Sequence, residues 1–164
     1  MSRTLACAAV LLLCAAAPAA AALPARGVLV PDRSLGGVRL GETAAQVRAA
    51  LGHSYGVCRG CARTTWYFTY RVFDDRGLAV ELTQGRVSAV YTLWQPPGWH
   101  GPRGLGLGAP QGQVLAVGGT LLPIACAGYQ ALVRDRGATR TVYYVVDAKL
   151  WGFGLLSAGG NPCR

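Results

Sequence analysis

Residues 37–52 read GVRLGETAAQVRAALG, and residues 104–119 read GLGLGAPQGQVLAVGG. Seven of the sixteen positions are identical when the two stretches are aligned at a shift of 67 residues. A match at a fixed spacing is typical of a chain that repeats one structural unit. The sequence therefore predicts two tandem units, each beginning with this motif.

The motif predicts a short helix in each unit. Thr43 and Gln46 have the spacing of a capping box, which favours a helix start at Thr43. Gly52 is a typical residue for the position just after a helix. Val47 and Val114 occupy matching positions, and we expect each to anchor its helix on a sheet.

Strands are predicted after each helix. Apolar and polar residues alternate over residues 64–73 and 78–83 as they do in half-buried strands, and the second unit has apolar stretches in corresponding places. The turns Gln84-Gly85 and Asp147-Ala148 separate the last two strands of each unit. The sequence thus predicts an α+β fold of two tandem repeats, each a helix plus a three-stranded antiparallel sheet. The predicted strands span residues 64–73, 78–83, 87–93, 129–133, 139–146 and 150–156.

Residues 1–22 have the pattern of a secretory signal peptide. An apolar run follows Arg3 and ends in small residues before Leu23, and the run is shorter than the ~20 residues that span a bilayer. We therefore expect a cleaved signal peptide and a secreted or extracytoplasmic protein. The predicted division is a signal peptide at 1–22, a first repeat at 23–94, a Pro/Gly linker at 95–103 and a second repeat at 104–164.

The composition describes a folded and basic chain. Hydrophobic residues make up 52% and charged residues 14%, which excludes a disordered polyelectrolyte. The net charge is +9, but the basic residues are scattered, so no specific nucleic-acid binding is expected. A weak attraction to anionic polymers stays open. Arg39 and Arg48 are expected to face solvent.

The cysteines predict disulfide bonds. Of the six, two lie within residues 1–22, which leaves Cys58, Cys61, Cys126 and Cys163. Four cysteines allow three connectivities, and pairing within each repeat favours Cys58–Cys61 and Cys126–Cys163. A redox motif at Cys58 and Cys61 and a four-cysteine zinc site are the alternatives. A thioredoxin-type pair opens a helix, whereas β-forming residues follow Cys61.

The remaining polar residues do not form a recognisable catalytic set. His53 and His100 have no Ser or Cys partner at a known spacing, and Asp74-Asp75 precedes Arg-Gly in the manner of a turn. We therefore predict no catalytic residue, no metal site and no cofactor, and hence a protein that is not an enzyme.

Aromatic residues and one arginine form the candidate binding surface. Tyr67, Arg71 and Tyr143 are expected on strand faces away from the core, and Trp94 and Trp99 lie in the connection between the repeats. Tyr, Trp and Arg are the residue types that dominate interface hot spots. The alternative is that these side chains pack between the two repeats or under loops.

The pattern Leu-Gly-x5-Val-x4-Gly, which runs from Leu40 to Gly52 before a three-stranded meander, resembles the unit of the BamE-like (SmpA/OmlA) superfamily. A secreted tandem pair of such units resembles the fold of the beta-lactamase inhibitory proteins of actinobacteria, and residues 30–41 are similar to the opening of other secreted actinobacterial proteins. The resemblance covers about residues 35–157.

The resemblance implies a non-enzymatic binding or inhibitory module. The expected partner of this module is an extracellular or cell-envelope protein. We expect the chain itself to be a monomer. Two other functions remain open. One is a thiol–disulfide oxidoreductase that uses Cys58 and Cys61, and the other is a binder of anionic cell-wall polymer.

Overall fold

The computed structural model describes residues 23–164, and the predicted signal peptide at 1–22 lies outside them. Within residues 23–164 the chain forms ten strands, two α-helices and one 3₁₀ turn. In chain order these are β1 (Leu29–Val30), β2 (Ser34–Leu35), α1 (Ala44–Leu51), β3 (Gly56–Val57), β4 (Thr64–Thr69), β5 (Gly77–Thr83), β6 (Arg86–Leu93), the 3₁₀ turn (Pro102–Gly104), α2 (Gln111–Gly118), β7 (Leu122–Cys126), β8 (Tyr129–Arg136), β9 (Thr139–Val146) and β10 (Lys149–Ser157).

Eight of the described strands form one continuous antiparallel sheet in the order β3-β4-β5-β6-β10-β9-β8-β7. The hairpins β5–β6 and β9–β10 meet at its centre. There, Leu155 of β10 lies opposite Val90 of β6, and Gly154 lies opposite Tyr91. Strands β1 and β2 pair separately as a two-stranded sheet.

The predicted fold of two repeats, each a helix plus a three-stranded sheet, is wrong. A strand is present at each of the six predicted places, although the first ends at Thr69 and not at residue 73. The six strands join edge to edge in a single sheet, and β3 and β7 extend that sheet to eight strands within the described chain. β3 has only two residues, and β7 contains Pro123, which is tolerated at a sheet edge. Neither strand lies in the alternating or repeated apolar stretches from which the other strands were predicted.

Helix α1 begins as the sequence predicts. Gln46 Oε1 accepts a hydrogen bond from the Thr43 N–H at 2.8 Å, and Thr43 Oγ1 accepts one from the Gln46 N–H at 3.3 Å. Val47 and Leu51 of α1 and Val114 of α2 are buried. Helices of eight residues are unstable alone in water, so packing on the sheet stabilises both. No helix within residues 23–164 is long and apolar enough to cross a membrane.

The two faces of the sheet differ in what covers them. The helix face packs against α1, α2 and the β1–β2 pair, and it holds the main core. The opposite, helix-free face carries a smaller apolar cluster, because successive side chains of a strand point to opposite faces. The members of the smaller cluster are Ala89, Ala131, Val133, Val142, Tyr144 and Leu156.

The prediction that Arg48 faces solvent is wrong. Its side chain is half-buried, and the guanidinium carbon lies 5.5 Å from the centroid of the Trp66 ring. This is a cation–π contact, which helps to seat α1 on β4. Arg39 is exposed, as the sequence predicts.

The structure contains both favoured disulfide bonds. Cys58–Cys61 closes the turn between β3 and β4, and Cys126, at the end of β7, is bonded to Cys163. A cysteine in a disulfide is not a thiolate ligand, so the alternative of a four-cysteine zinc site is wrong. The second bond ties residues 158–164, called here segment 158–164, to an edge of the sheet.

Candidate functional site

The structure separates the five residues of the predicted binding surface. Tyr143 is fully buried on the helix face, where its ring meets that of Phe153 edge to face at 6.1 Å. The prediction that it faces away from the core is wrong. Residues 142–145 of β9 are all apolar or aromatic and all buried, so alternation does not assign the faces of this strand.

Trp99 is also a core residue rather than a surface residue, since only 2% of it is exposed. The indole packs against Gly27 and Gly36, where an added Cβ would lie 2.3 and 2.7 Å from ring atoms. Its Nε1–H donates a hydrogen bond to the hydroxyl of Tyr70. For Trp99 the alternative interpretation, packing under loops, is correct.

The other three predicted residues are accessible but dispersed. Trp94 is 57% exposed, and Tyr67 is half-buried. Arg71 is exposed, but the prediction that it lies on a strand is wrong, because β4 ends at Thr69. Tyr67 lies on the helix-free face, with its hydroxyl 4.0 Å from the Cys61 sulfur. Of the predicted surface residues, Trp94 is the one that lines a pocket with other aromatic side chains.

That pocket, called here the aromatic pocket, opens on the helix-free face and has a volume of about 330 Å³. Its aromatic side chains come from β6, β8, β9 and β10, which are neighbours in the sheet, and from the residue after β6. The aromatic residues are Tyr91, Trp94, Tyr129, Tyr144 and Trp151. The rest of the wall consists of Thr92, Leu93, Val146 and Arg164.

Two glycines of β10 make room for neighbouring side chains at the pocket. A Cβ at Gly154 would lie 2.7 Å from the hydroxyl oxygen of Tyr144 and 3.2 Å from its ring. A Cβ at Gly152 would lie 2.6 Å from Thr92 Oγ1. Tyr144 can therefore lie across the neighbouring strand because position 154 has no side chain.

The rings of the pocket pack against one another in edge-to-face pairs. The centroids of Trp94 and Trp151 are 5.4 Å apart, and those of Tyr129 and Tyr144 are 5.9 Å apart. Edge-to-face contacts are favourable and orient both partners. The shape of the pocket is therefore set within the chain itself.

Arg164 supplies the charged wall of the pocket. Its Nη1 lies 3.2 Å from Glu81 Oε1, and its guanidinium carbon lies 5.4 Å from the centroid of the Tyr91 ring. The Arg164 N–H donates to the hydroxyl of Tyr129, which in turn donates to the Arg164 main-chain oxygen at 2.7 Å. Glu81 also accepts a hydrogen bond from Arg63 Nη1 at 3.2 Å.

Tyr91 and Tyr144 of the pocket stay neutral over the physiological pH range. Burial raises the pKa of Tyr144 and of Tyr91, and the charge of Glu81 raises the pKa of Tyr91 further. The buried hydroxyl of Tyr144 has no hydrogen-bond partner among the described residues. The charged side chains at the pocket are Arg164, which lines it, and its partner Glu81.

Sequence reasoning identified one aromatic residue of the pocket and missed four. Tyr91 and Trp151 each occupy a strand position between residues of the core, which is a signal for the second face of a sheet. The alternation of one strand does not show which strands lie beside it. The convergence of four strands on one pocket was therefore not predictable.

Among residues 23–164, no group of three or more His, Cys, Asp or Glu side chains is placed to hold a metal ion.

No protein-family model and no curated protein matches the sequence. Solved structures that are similar to it include an extracellular and a secretory protein. For an extracellular protein containing a SCP domain from Bacillus anthracis str. Ames, the TM-score is 0.50 and the identity 10%, over 73% of this chain and 44% of that one. For a cysteine-rich secretory protein from Staphylococcus aureus subsp. aureus Mu50, the TM-score is 0.52 and the sequence identity is 12%. That match covers 85% of this chain and 49% of that one.

The chain resembles only a part of each of these two proteins, because the match spans less than half of the length of either one. They are extracellular or secretory proteins by description, and neither is a BamE-like protein. Together with the continuous eight-stranded sheet, they show that the predicted relationship to the BamE-like superfamily and to the beta-lactamase inhibitory proteins is wrong.

Proposed function

We propose that the chain is an exported, non-enzymatic binding module that holds a segment of an extracellular or cell-envelope protein on its helix-free face. The observation that carries the proposal is the aromatic pocket, where five aromatic side chains and Arg164 surround about 330 Å³. Tyr, Trp and Arg dominate the energetics of protein interfaces, and a pocket of this size accepts side chains of a partner.

The order of the pocket before binding supports this function. The Trp94–Trp151 and Tyr129–Tyr144 pairs hold their rings in place, and the Cys126–Cys163 bond holds segment 158–164 beside them. A partner that binds a rigid pocket loses less conformational entropy than one that must order the site. The same order is expected to give specificity for the shape of the bound side chain.

Export is supported by three independent observations. Residues 1–22 have the pattern of a signal peptide, the chain contains two disulfide bonds, and the two similar structures are of an extracellular and a secretory protein.

Intact-mass measurement of protein recovered from culture medium tests the proposal that the chain is exported. A mass that begins at Leu23 is expected, and a mass that retains residues 1–22 or a lipid on Cys14 would contradict it.

The binding function is tested by affinity capture followed by titration. Residues 23–164 are immobilised, extracellular proteins of the source culture are passed over them, and a captured protein is purified and titrated by calorimetry. We expect Trp94→Ala and Trp151→Ala each to weaken binding by about tenfold or more. The matched control is Leu115→Ala, an exposed apolar residue on α2. Equal affinities for the pocket variants and the control would show that the pocket is not the site.

Binding of anionic wall polymer is the second candidate. Arg63, Arg86 and Arg164 line a second depression of about 370 Å³ beside the end of β10, and Arg164 also lines the aromatic pocket. Arg86 already donates a hydrogen bond to the carbonyl of Gly41, and Arg63 already donates one to Glu81. These contacts weaken the case for a free anion site. Titration with poly(glycerol phosphate) at rising salt tests it. Affinity that falls steeply with salt and is lost in Arg86→Ala would favour the polymer.

The oxidoreductase alternative rests on Cys58 and Cys61. Their disulfide closes a hairpin turn between two strands, whereas a redox pair of the thioredoxin type sits at the start of a helix. An insulin-reduction assay tests the alternative. Turnover that is lost in Cys58→Ser would assign an enzymatic function instead of the binding function proposed here.

A further inference from the structure

The connection between β4 and β5, residues 70–76, carries an apolar tip. Val72 is 81% exposed and Phe73 is 103% exposed, the highest value among the exposed large apolar residues of the described chain. Phe73 also has a φ of 67°, in the left-handed region that a bulky side chain rarely adopts. A strained, fully exposed aromatic contributes nothing to the core, and such strain is often associated with function.

The base of this loop is ordered by hydrogen bonds on both sides of the tip. The carboxylate of Asp74 accepts bonds from the N–H, Nε and Nη2 of Arg76 at 2.9, 3.0 and 3.1 Å. The carbonyl of Arg71 accepts from the Asp74 N–H at 3.1 Å and from Thr69 Oγ1 at 3.0 Å. The tip is therefore presented by an ordered loop.

The loop lies at the same end of the sheet as the aromatic pocket. Gly77, the first residue of β5, pairs with Thr69 of β4 on one side and with Leu93 of β6 on the other. Leu93 and Trp94 line the aromatic pocket. The base of the loop and the rim of the pocket are thus adjacent, and a single folded partner can contact both.

We propose that Val72 and Phe73 insert into an apolar cleft of the same extracellular protein whose segment occupies the aromatic pocket. The inference rests on the proposed function and adds a second, protruding contact to the recessed one. Because its base is already ordered, the loop loses little entropy on insertion. Aromatic anchors that fill a partner's pocket are typical hot spots.

The charges of the loop favour a protein cleft over a lipid surface. Arg71 and Arg76 are balanced by Asp74 and Asp75, so the loop has no net charge, and the two carboxylates directly follow the tip. Segments that insert into anionic bilayers combine apolar residues with an excess of Lys or Arg. A neutral loop with an apolar tip matches an apolar cleft of a protein.

Site-specific photo-cross-linking tests the proposal. p-Benzoylphenylalanine is placed at position 73, at position 94 and, as a control, at position 115 of the disulfide-bonded chain. Each version is irradiated with extracellular proteins and, separately, with phosphatidylglycerol vesicles. We expect cross-links from positions 73 and 94 to one and the same protein, and none from position 115.

The other outcomes separate the two proposals. A protein cross-link from position 94 without one from position 73 overturns the insertion but leaves the pocket function intact. A protein cross-link from position 73 without one from position 94 overturns the pocket function and, with it, the inference that one partner contacts both places. Cross-links from position 73 to lipid overturn the choice of partner, and no protein cross-link from either position overturns both proposals.

Affinity for the cross-linked protein supplies the quantitative test. We expect Phe73→Ser to weaken binding by about tenfold and Phe73→Leu to retain most of the affinity. Asp75→Ala, an exposed residue of the same loop, is the matched control. The thermal midpoint of Phe73→Ser should equal that of the unmodified chain, because the ring is fully exposed. Unchanged affinity in this variant overturns the inference.

Discussion

Arg164 Nη1 lies 3.2 Å from Glu81 Oε1, and this ion pair fastens segment 158–164 across the helix-free face of the sheet. The Glu81 side chain is only 8% exposed, so its charge depends on its arginine partners for compensation. Arg63 is the second partner, but 46% of its side chain is exposed to solvent. The residue that forms the charged wall of the aromatic pocket therefore also holds the structure around it.

Replacement of Arg164 by Ala is expected to lower the free energy of unfolding by about 1–3 kcal/mol, because it leaves a buried carboxylate with one exposed partner. Arg63→Ala removes the exposed partner and should cost less than about 1 kcal/mol. Urea unfolding of both variants provides the comparison. Equal losses would mean that the Glu81–Arg164 pair is no stronger than a surface ion pair.

Truncation of Val47 or Val114 to Ala should lower the free energy of unfolding by about 1–3 kcal/mol each, because both side chains are fully buried under their helices. The matched control is Arg39→Ala, at an exposed position, with an expected change below about 0.5 kcal/mol. Denaturant melts under one condition provide the comparison. Valine variants that melt like the control would contradict the packing of α1 and α2 on the sheet.

The two disulfide bonds are expected to differ in their contribution to stability. Cys126–Cys163 joins residues 37 apart, and Cys58–Cys61 joins residues 3 apart. In the chain-entropy model, removal of the first should cost about 4 kcal/mol and removal of the second about 2 kcal/mol. Unfolding of the two double Cys→Ser variants tests the order. The first variant should also bind the partner more weakly, because segment 158–164 is no longer tied beside the pocket.

The tryptophans at positions 94 and 99 are expected to respond in opposite ways to truncation. Trp99→Ala empties a core site that is 2% exposed and should cost about 3–5 kcal/mol. Trp94→Ala removes a side chain that is 57% exposed and should cost less than about 1 kcal/mol while weakening partner binding. Thermal melts and calorimetry separate the two effects. A large loss of stability in Trp94→Ala would identify it as a structural residue.

Stability should fall at alkaline pH because of Tyr91 and Tyr144 in the pocket. Burial raises the folded-state pKa of Tyr91 and Tyr144 above the usual value of 10.0, so the folded state holds these protons more tightly than the unfolded state. Their contribution is complete below pH 10 and is lost as the pH rises through the folded-state pKa values. Urea melts from pH 8 to 11 measure the decline, which should be smaller in Tyr91→Phe.

Local patterns in the sequence determined the local structure. The capping box of Thr43 and Gln46 involves residues three apart, and the alternation of β4 and β5 involves neighbours two apart. Contacts at such short range are set by backbone geometry and do not depend on the rest of the chain. The favoured disulfide pairing is also the pairing in the structure.

Only the tertiary structure decided how these elements combine. The pairing of β6 with β10, which turns two predicted sheets into one, joins residues far apart in the chain, and no local pattern indicates it. The face of Tyr143 was undetermined because β9 is apolar on both sides, so its burial follows from what covers each face. The aromatic pocket requires β6, β8, β9 and β10 to be neighbours. It exists because long-range strand pairing, not residue spacing, brings its side chains together.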